Sequence, residues 1–171
     1  ECHGETIRAM STSGRLVICN MSVEAGATSG IVSADDETER YLRQEAGVTE
    51  GIGRVLPDAD AAYEQVIEID VARLAPQIAC PHTVDNVKPI GDVAGKPIQQ
   101  VVIGSCTNGR LDDLESAARI LRGRKVAQST RMLVFPASAR IYTQALENGT
   151  LQDFTRAGAV VMNPGCGPCL G

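Results

Sequence analysis

Met10, Val17, Ile18, Met21 and Ala25 fall at steps of three, four and seven residues, the repeat of one helix face. Residues 5–27 therefore read as helix, with Gly26 as a stop. Gly30-Ile31-Val32 reads as a short strand. Asp35 or Asp36 offers an N-cap for a helix from Glu37 to Ala46, which the Gly47 to Gly53 stretch closes. Glu64 to Asp70 alternates polar and apolar residues, the period of a strand with one wet face. Pro76, Pro81, Pro89, Gly91, Gly95 and Pro97 then follow within one stretch, too many breakers for long regular elements. A domain boundary is expected near residue 93, dividing the chain into regions 1–92 and 93–171.

The last third is more regular. Gln99 to Gly104 is a buried strand, and Leu111 to Arg122 is a helix with Leu111, Leu114, Ala118 and Leu121 on one face. Arg131 to Phe135 is a second strand. Ser138 starts a helix through Leu146 that Asn148-Gly149 closes, Thr150 caps a shorter helix to Arg156, and Ala159 to Met162 is a third strand. Strands separated by helices predict a parallel sheet covered on both faces, hence the α/β class.

Composition narrows the function classes. The 171 residues are 43% hydrophobic, 22% charged and 3% aromatic, with no Trp, so the core is aliphatic. No apolar run reaches the roughly 18 residues that span a bilayer, and Glu1-Cys2-His3-Gly4-Glu5 lacks the pattern of a signal peptide. A cytoplasmic protein with no membrane partner is expected. The chain opens without Met and stops at Gly171 just past a Cys-rich motif, and so reads as a piece of a longer one. Its net charge of −5 is uneven: residues 1–97 hold 8 Lys+Arg against 16 Asp+Glu, residues 98–171 hold 8 against 5. The second part is the better home for an anion. Its positive charges form neither a run nor an aromatic ladder, which sets nucleic acid aside as a partner.

Six cysteines are too few for a disulfide scaffold and point to reduced thiols. Cys106 comes two residues after the first strand of the last third, and Cys166 and Cys169 come four and seven residues after Met162. All are expected beyond the carboxyl ends of parallel strands, where open α/β sheets bind ligands. Cys106 also precedes a helix start, whose dipole favours a thiolate. A structural zinc wants four protein ligands, and only one Cys-x-x-Cys pair exists. Cys166-Gly167-Pro168-Cys169 also has the letters of a thioredoxin tetrapeptide, but that chemistry needs a helix starting at the first cysteine. Three thiolates from two loops suit an iron-sulfur cluster with one iron lacking a protein ligand, a Lewis acid as well as an electron store. Cys2, Cys19 and Cys80 read as small core residues.

Gly104-Ser105-Cys106-Thr107-Asn108-Gly109-Arg110 and Asn163-Pro164-Gly165-Cys166-Gly167-Pro168-Cys169-Leu170-Gly171 resemble motifs of the aconitase superfamily, specifically its 3-isopropylmalate dehydratase and homoaconitase large subunits. The likeness extends to residues 18–27 and to Pro81-His82-Thr83-Val84-Asp85-Asn86-Val87. It implies a three-layer α/β/α core with a parallel sheet. It also implies a [4Fe-4S] cluster held by Cys106, Cys166 and Cys169, whose fourth iron takes the substrate hydroxyl and a carboxylate.

Asn20 and Glu24 match the family's active-site Asn and Glu. Four residues apart, they share a helix face on any reading, as a solvated pair also would. The resemblance further implies that Ser105, Thr107 and Asn108 orient the cluster loop, while Arg110 faces an anionic substrate or lies on a helix surface. His82 reads as a structural histidine. The implied activity is a hydro-lyase that isomerises a 2-/3-hydroxy acid by dehydration and rehydration, foremost 3-isopropylmalate in leucine biosynthesis. Homoaconitase and citramalate- or dimethylmalate-type dehydratases are alternatives, and a non-catalytic iron-sulfur or thiol-redox domain is a more distant one. The family's Asp-Ser-His-Thr and Asn-Arg-Asn-Phe segments are absent here. So is the small, swivel-domain subunit that supplies the catalytic base, so the piece alone is expected to fold but to be inactive.

Overall fold

The computed structural model describes residues 1–167, and the chain divides into two compact units, Glu1–Ala94 and Gly95–Gly171.

The first unit opens with α1 (Glu5–Ala9) and α2 (Thr12–Glu24), where one continuous helix was expected. The break has a local cause. Ser11 takes an extended conformation and its hydroxyl accepts from the Gly14 amide at 3.2 Å, so it caps a new helix instead of continuing the old one. Helix α3 (Asp36–Glu45) starts as expected, with the Asp35 carboxylate accepting from the Glu37 and Thr38 amides. Residues 30–32 and 64–70 are not strands, because neither finds a partner strand to complete a ladder. Val66, Ile67 and Ile69 stand exposed. Regular pairing appears instead where breakers argued against it: β1 (Gln77–Ala79) and β2 (Val87–Pro89) form an antiparallel hairpin, with Ala79 opposite Val87.

One buried cation ties the helices together. Arg15, 4% exposed, forks onto Asp35 from α2 (2.6 and 2.8 Å) and donates to the carbonyls of Ile7, Arg8 and Met10. Glu37 accepts from the Thr12 amide at 2.9 Å and from the Arg40 guanidinium. The Arg15 guanidinium, with the Thr38 and Glu37 amides, lowers the Asp35 carboxyl to about 2. Arg40, then the Thr12 amide and hydroxyl, lower Glu37 to about 2.

The second unit is a parallel α/β layer. Strands β3 (Gln100–Gly104), β4 (Arg131–Phe135) and β5 (Val160–Val161) lie in that order, with Gln100 beside Arg131, Gly104 beside Phe135 and Leu133 beside Val160. Between them run α4 (Ser105–Asn108), α5 (Leu111–Leu121), α6 (Ala139–Glu147) and α7 (Thr150–Ala157). Ser138 caps α6, its hydroxyl accepting from the Ile141 amide at 3.2 Å. Thr150, expected as a cap, is the first residue of α7, and left-handed Gly149 precedes it. Leu114 and Ala118 of α5, Val134 of β4, Ala145 of α6 and Leu151 and Phe154 of α7 close into one core, with Phe154, Leu114 and Val134 fully buried. Among the described residues no helix is long and apolar enough to cross a membrane.

Candidate functional site

The carboxyl end of β3 carries the first cysteine. Gly104 leaves the strand at φ 112°, and a Cβ there would lie 2.0 Å from the Phe135 carbonyl oxygen, so no other residue fits without displacing β4. Ser105, 5% exposed, follows at φ 68°, a left-handed conformation that costs a non-glycine residue about 1 kcal/mol or more. That kink starts α4, so Cys106 sits within a single helical turn rather than ahead of a long helix, and its side chain is exposed.

The loop is braced on its far side. Arg110 donates from Nη1 to the Cys106 and Thr107 carbonyls, both at 3.0 Å, and its amide donates to Asp113 Oδ2 at 3.1 Å. Asn108 Nδ2 donates to Asp113 Oδ1 at 3.1 Å. Thr107 Oγ1 is 4.0 Å from Cys106 Sγ. Arg110 and Asn108 thus fasten the Cys106 turn to the first turn of α5.

The second cysteine loop converges on the same residue. Gly167, at φ 53°, packs so closely on the Phe135 ring that a Cβ would lie 2.3 Å from it. Gly109 packs on the Phe135 carbonyl in the same way, at 2.6 Å. Phe135, 4% exposed at the carboxyl end of the middle strand, is the floor on which both loops rest. Cys106 and Cys166 are free, exposed thiols at this end of the sheet. Cys169 lies outside the described residues. Among the described residues no group of three His, Cys, Asp or Glu side chains gathers for a metal, as expected when only two of these thiols are among them. Two soft thiol donors on glycine-lined loops, open to solvent and backed by an apolar ring, fit an iron-sulfur cluster.

The other candidates belong to the first unit. Asn20 and Glu24 lie one turn apart on α2, Asn20 half-buried and Glu24 exposed. The helix ends just beyond them: Gly26 donates to the Val23 carbonyl at 3.0 Å and Ala27 to the Ser22 carbonyl at 2.9 Å, the paired bonds of a Schellman ending. These bonds fix the point at which Glu24 leaves the helix. His82 is not the satisfied structural histidine expected. It is exposed at the tip of the β1–β2 hairpin, without a hydrogen-bond partner among the described residues, and lines a recess with Glu24. The motif containing His82 was visible in the sequence, but its proximity to α2 depends on a hairpin that was not.

The aconitase family (aconitate hydratase) model matches residues 1–96 and 91–171. A probable 3-isopropylmalate dehydratase large subunit of Methanothermobacter thermautotrophicus is 52% identical over all 171 residues, which cover 40% of that protein. The 3-isopropylmalate dehydratase large subunit 2 of Archaeoglobus fulgidus is 50% identical, with 41% of it covered. The methanogen homoaconitase large subunit of Methanocaldococcus jannaschii is 46% identical over an alignment that takes in the whole chain and 42% of that protein. The chain thus spans about two fifths of the length of these curated relatives. With its full length matched by the family model and two loops of cysteine and glycine seated on Phe135, the chain belongs to the aconitase family.

Proposed function

We propose that this chain is part of the large subunit of a [4Fe-4S] hydro-lyase that isomerises a 2-/3-hydroxy acid by dehydration and rehydration, with 3-isopropylmalate as the substrate. The observation that carries the reading is the convergence of the Cys106 and Cys166 loops on Phe135 at the carboxyl end of the parallel sheet. Cys106, Cys166 and Cys169 hold the cluster. When bound, it supplies an open iron, a Lewis acid that stabilises charge on a departing hydroxyl by several kcal/mol.

The chain's own residues do the rest. Arg110 and Asn108 hold the Cys106 turn in place through the carbonyls of α4 and the Asp113 carboxylate. Thr107 sets its hydroxyl beside the Cys106 sulfur, and Ser105 fixes the kink that exposes the thiol. With Nη1 on the Cys106 and Thr107 carbonyls, Arg110 positions the loop and brings a positive charge to the anionic substrate. Glu24 exchanges the proton of the departing or attacking water, and Asn20 orients that water from the same helix face. A small subunit supplies the base that takes the carbon-bound proton.

The second reading, homoaconitase, is favoured by the relative of that name at 46% identity. Anaerobic reconstitution of the full-length large subunit with its small subunit should give a brown species, with the broad visible absorbance of an iron-sulfur cluster, that hydrates isopropylmaleate. Cys106→Ser, Cys166→Ser and Cys169→Ser should each abolish the species, and Cys80→Ser should not. Bleaching by Cys80→Ser would overturn the ligand assignment. Turnover of homoaconitate alone would overturn the substrate.

A further inference from the structure

The turn that carries Cys106 cannot hold itself. Helix α4 is four residues long, too short to be stable alone, and it starts at Ser105 with φ 68°, a backbone state that persists only where its surroundings enforce it. The polar bonds on its far side all lead to one side chain. Asp113 Oδ1 accepts from Asn108 Nδ2 and Asp113 Oδ2 from the Arg110 amide, both at 3.1 Å, and Arg110 Nη1 in turn donates to the Cys106 and Thr107 carbonyls at 3.0 Å. Asp113 is half-buried in the first turn of α5, next to Leu114, which is 0% exposed in the core. One carboxylate thus links the aliphatic core to the polar bonds of the cysteine turn. Its neighbour Asp112 differs in one respect. That side chain is exposed, and its carboxylate accepts from the Asp113 amide at 3.1 Å but, among the described residues, from neither Asn108 nor Arg110.

We infer that Asp113 is the positioning residue that sets how firmly the Cys106 side of the iron-sulfur site is held. It acts through Asn108 and Arg110, and makes no hydrogen bond to a thiol among the described residues. This inference rests on the role proposed for Cys106 as a cluster ligand. A carboxylate suits the place because its two oxygens accept from two donors at once, and its charge strengthens both bonds. Without it, Asn108 would lose its hold on α5. Arg110 would no longer be fixed at the point from which Nη1 reaches the Cys106 carbonyl. A thiol on a loosened turn must be ordered each time it takes iron, and that entropy cost lowers its affinity. Partners that orient a metal ligand in this way typically carry about tenfold or more in metal affinity.

Chelator challenge of the reconstituted full-length large subunit with its small subunit, followed by the loss of visible cluster absorbance, tests the brace. Asp113→Ala should lose its cluster about tenfold faster than wild type. Asp112→Ala removes the same charge from the same helix turn and should lose it at the wild-type rate. An amide can accept from only one of the two donors, so Asp113→Asn should fall between, and it serves as the test if Asp113→Ala does not fold. In the Asp113→Ala background, Asn108→Ala should add nothing, because the bond it removes is already gone. A wild-type rate in Asp113→Ala, equal acceleration by Asp112→Ala, or an Asn108→Ala effect that adds in full would each overturn the inference. A wild-type complex that takes up no cluster would overturn the proposed function instead. Amide hydrogen exchange in the cluster-free complex would then decide the brace. The Ala137 amide donates to the Gly109 carbonyl at 2.8 Å, at the end of the cysteine turn, and should exchange faster in Asp113→Ala but not in Asp112→Ala. Unchanged exchange at Ala137 in Asp113→Ala would overturn it.

Discussion

Glu1–Ala94 and Gly95–Gly171 are held together by different physics. Every fully apolar side chain buried among the described residues belongs to the second unit. The first unit buries only Thr12 and Arg15, while Val55, Leu56, Val66, Ile67 and Ile69 stay at least 63% exposed. One unit is an aliphatic core between strands and helices. The other is three helices clipped by an ion-pair network, a hairpin, and long extended stretches. The difference explains why the cysteine loops rest on a rigid floor, whereas Glu24 and His82 project from elements fixed mainly by hydrogen bonds. A packed core gives the cysteine loops a fixed base, and the hydrogen-bonded unit leaves Glu24 and His82 exposed at its surface.

The sharpest way to break the comparison is in the core. Phe154→Ala should cost the second unit about 3 to 5 kcal/mol, because the ring is fully buried and the cavity cannot collapse around it. Urea unfolding of the chain should then show the transition of the Gly95–Gly171 unit at lower denaturant. An equal loss from Ile67→Ala, at 71% exposure, would mean that the first unit has a hidden core. Gly104→Ala comes next. Strain at φ 112° and contact with the Phe135 carbonyl should together cost about 2 to 3 kcal/mol and prevent cluster assembly on the full-length complex. Thermal melting and the visible spectrum check this, and a stable variant with a normal cluster would refute the Phe135 floor.

In the first unit the matching experiment is Arg15→Met. Asp35 would lose a bidentate partner and three backbone carbonyls would lose their donor, for a cost of about 2 to 3 kcal/mol confined to this unit. Amide hydrogen exchange should accelerate in α1–α3 and not in β3–β5. The smallest effect is that of pH. Asp35 and Glu37 both have folded pKa values of about 2, below those of ordinary carboxylates near 4. A depressed pKa gives stability that is present above the unfolded value, so it should be complete above about pH 5 and decline as pH falls from about 4 to 2. Exchange in α1–α3 should rise over that window, and Asp35→Asn should flatten the response. An unchanged slope in that variant would place the acid sensitivity elsewhere.

Local signals were legible where local chemistry decides. Ser138 and Asp35 announced helix starts through side-chain oxygens that need only the next turn's amides. The Arg131–Phe135 strand was legible because a continuous apolar run in a parallel sheet is buried on both faces. Glu64–Asp70 has an equally clear pattern and is no strand, since alternation describes what a strand would bury and cannot supply a neighbour. The β1–β2 hairpin was illegible for the opposite reason: pairing across residues 80–86 made two short strands out of a segment full of breakers.

By itself the sequence determined the chemistry on offer: which thiols, carboxylates and imidazole the chain carries, and which follow a strand or share a helix face. Those facts depend on spacing of a few residues, which backbone geometry converts directly into direction. Only the tertiary structure decided that the Cys106 and Cys166 loops share one floor at Phe135, that Arg110 Nη1 braces the carbonyls of the Cys106 turn, and that His82 lines a recess with Glu24. Each of these joins positions through packing, a close approach at a glycine, or a hairpin's register. Such contacts depend on how separately formed elements fill space against one another, and no local pattern encodes that.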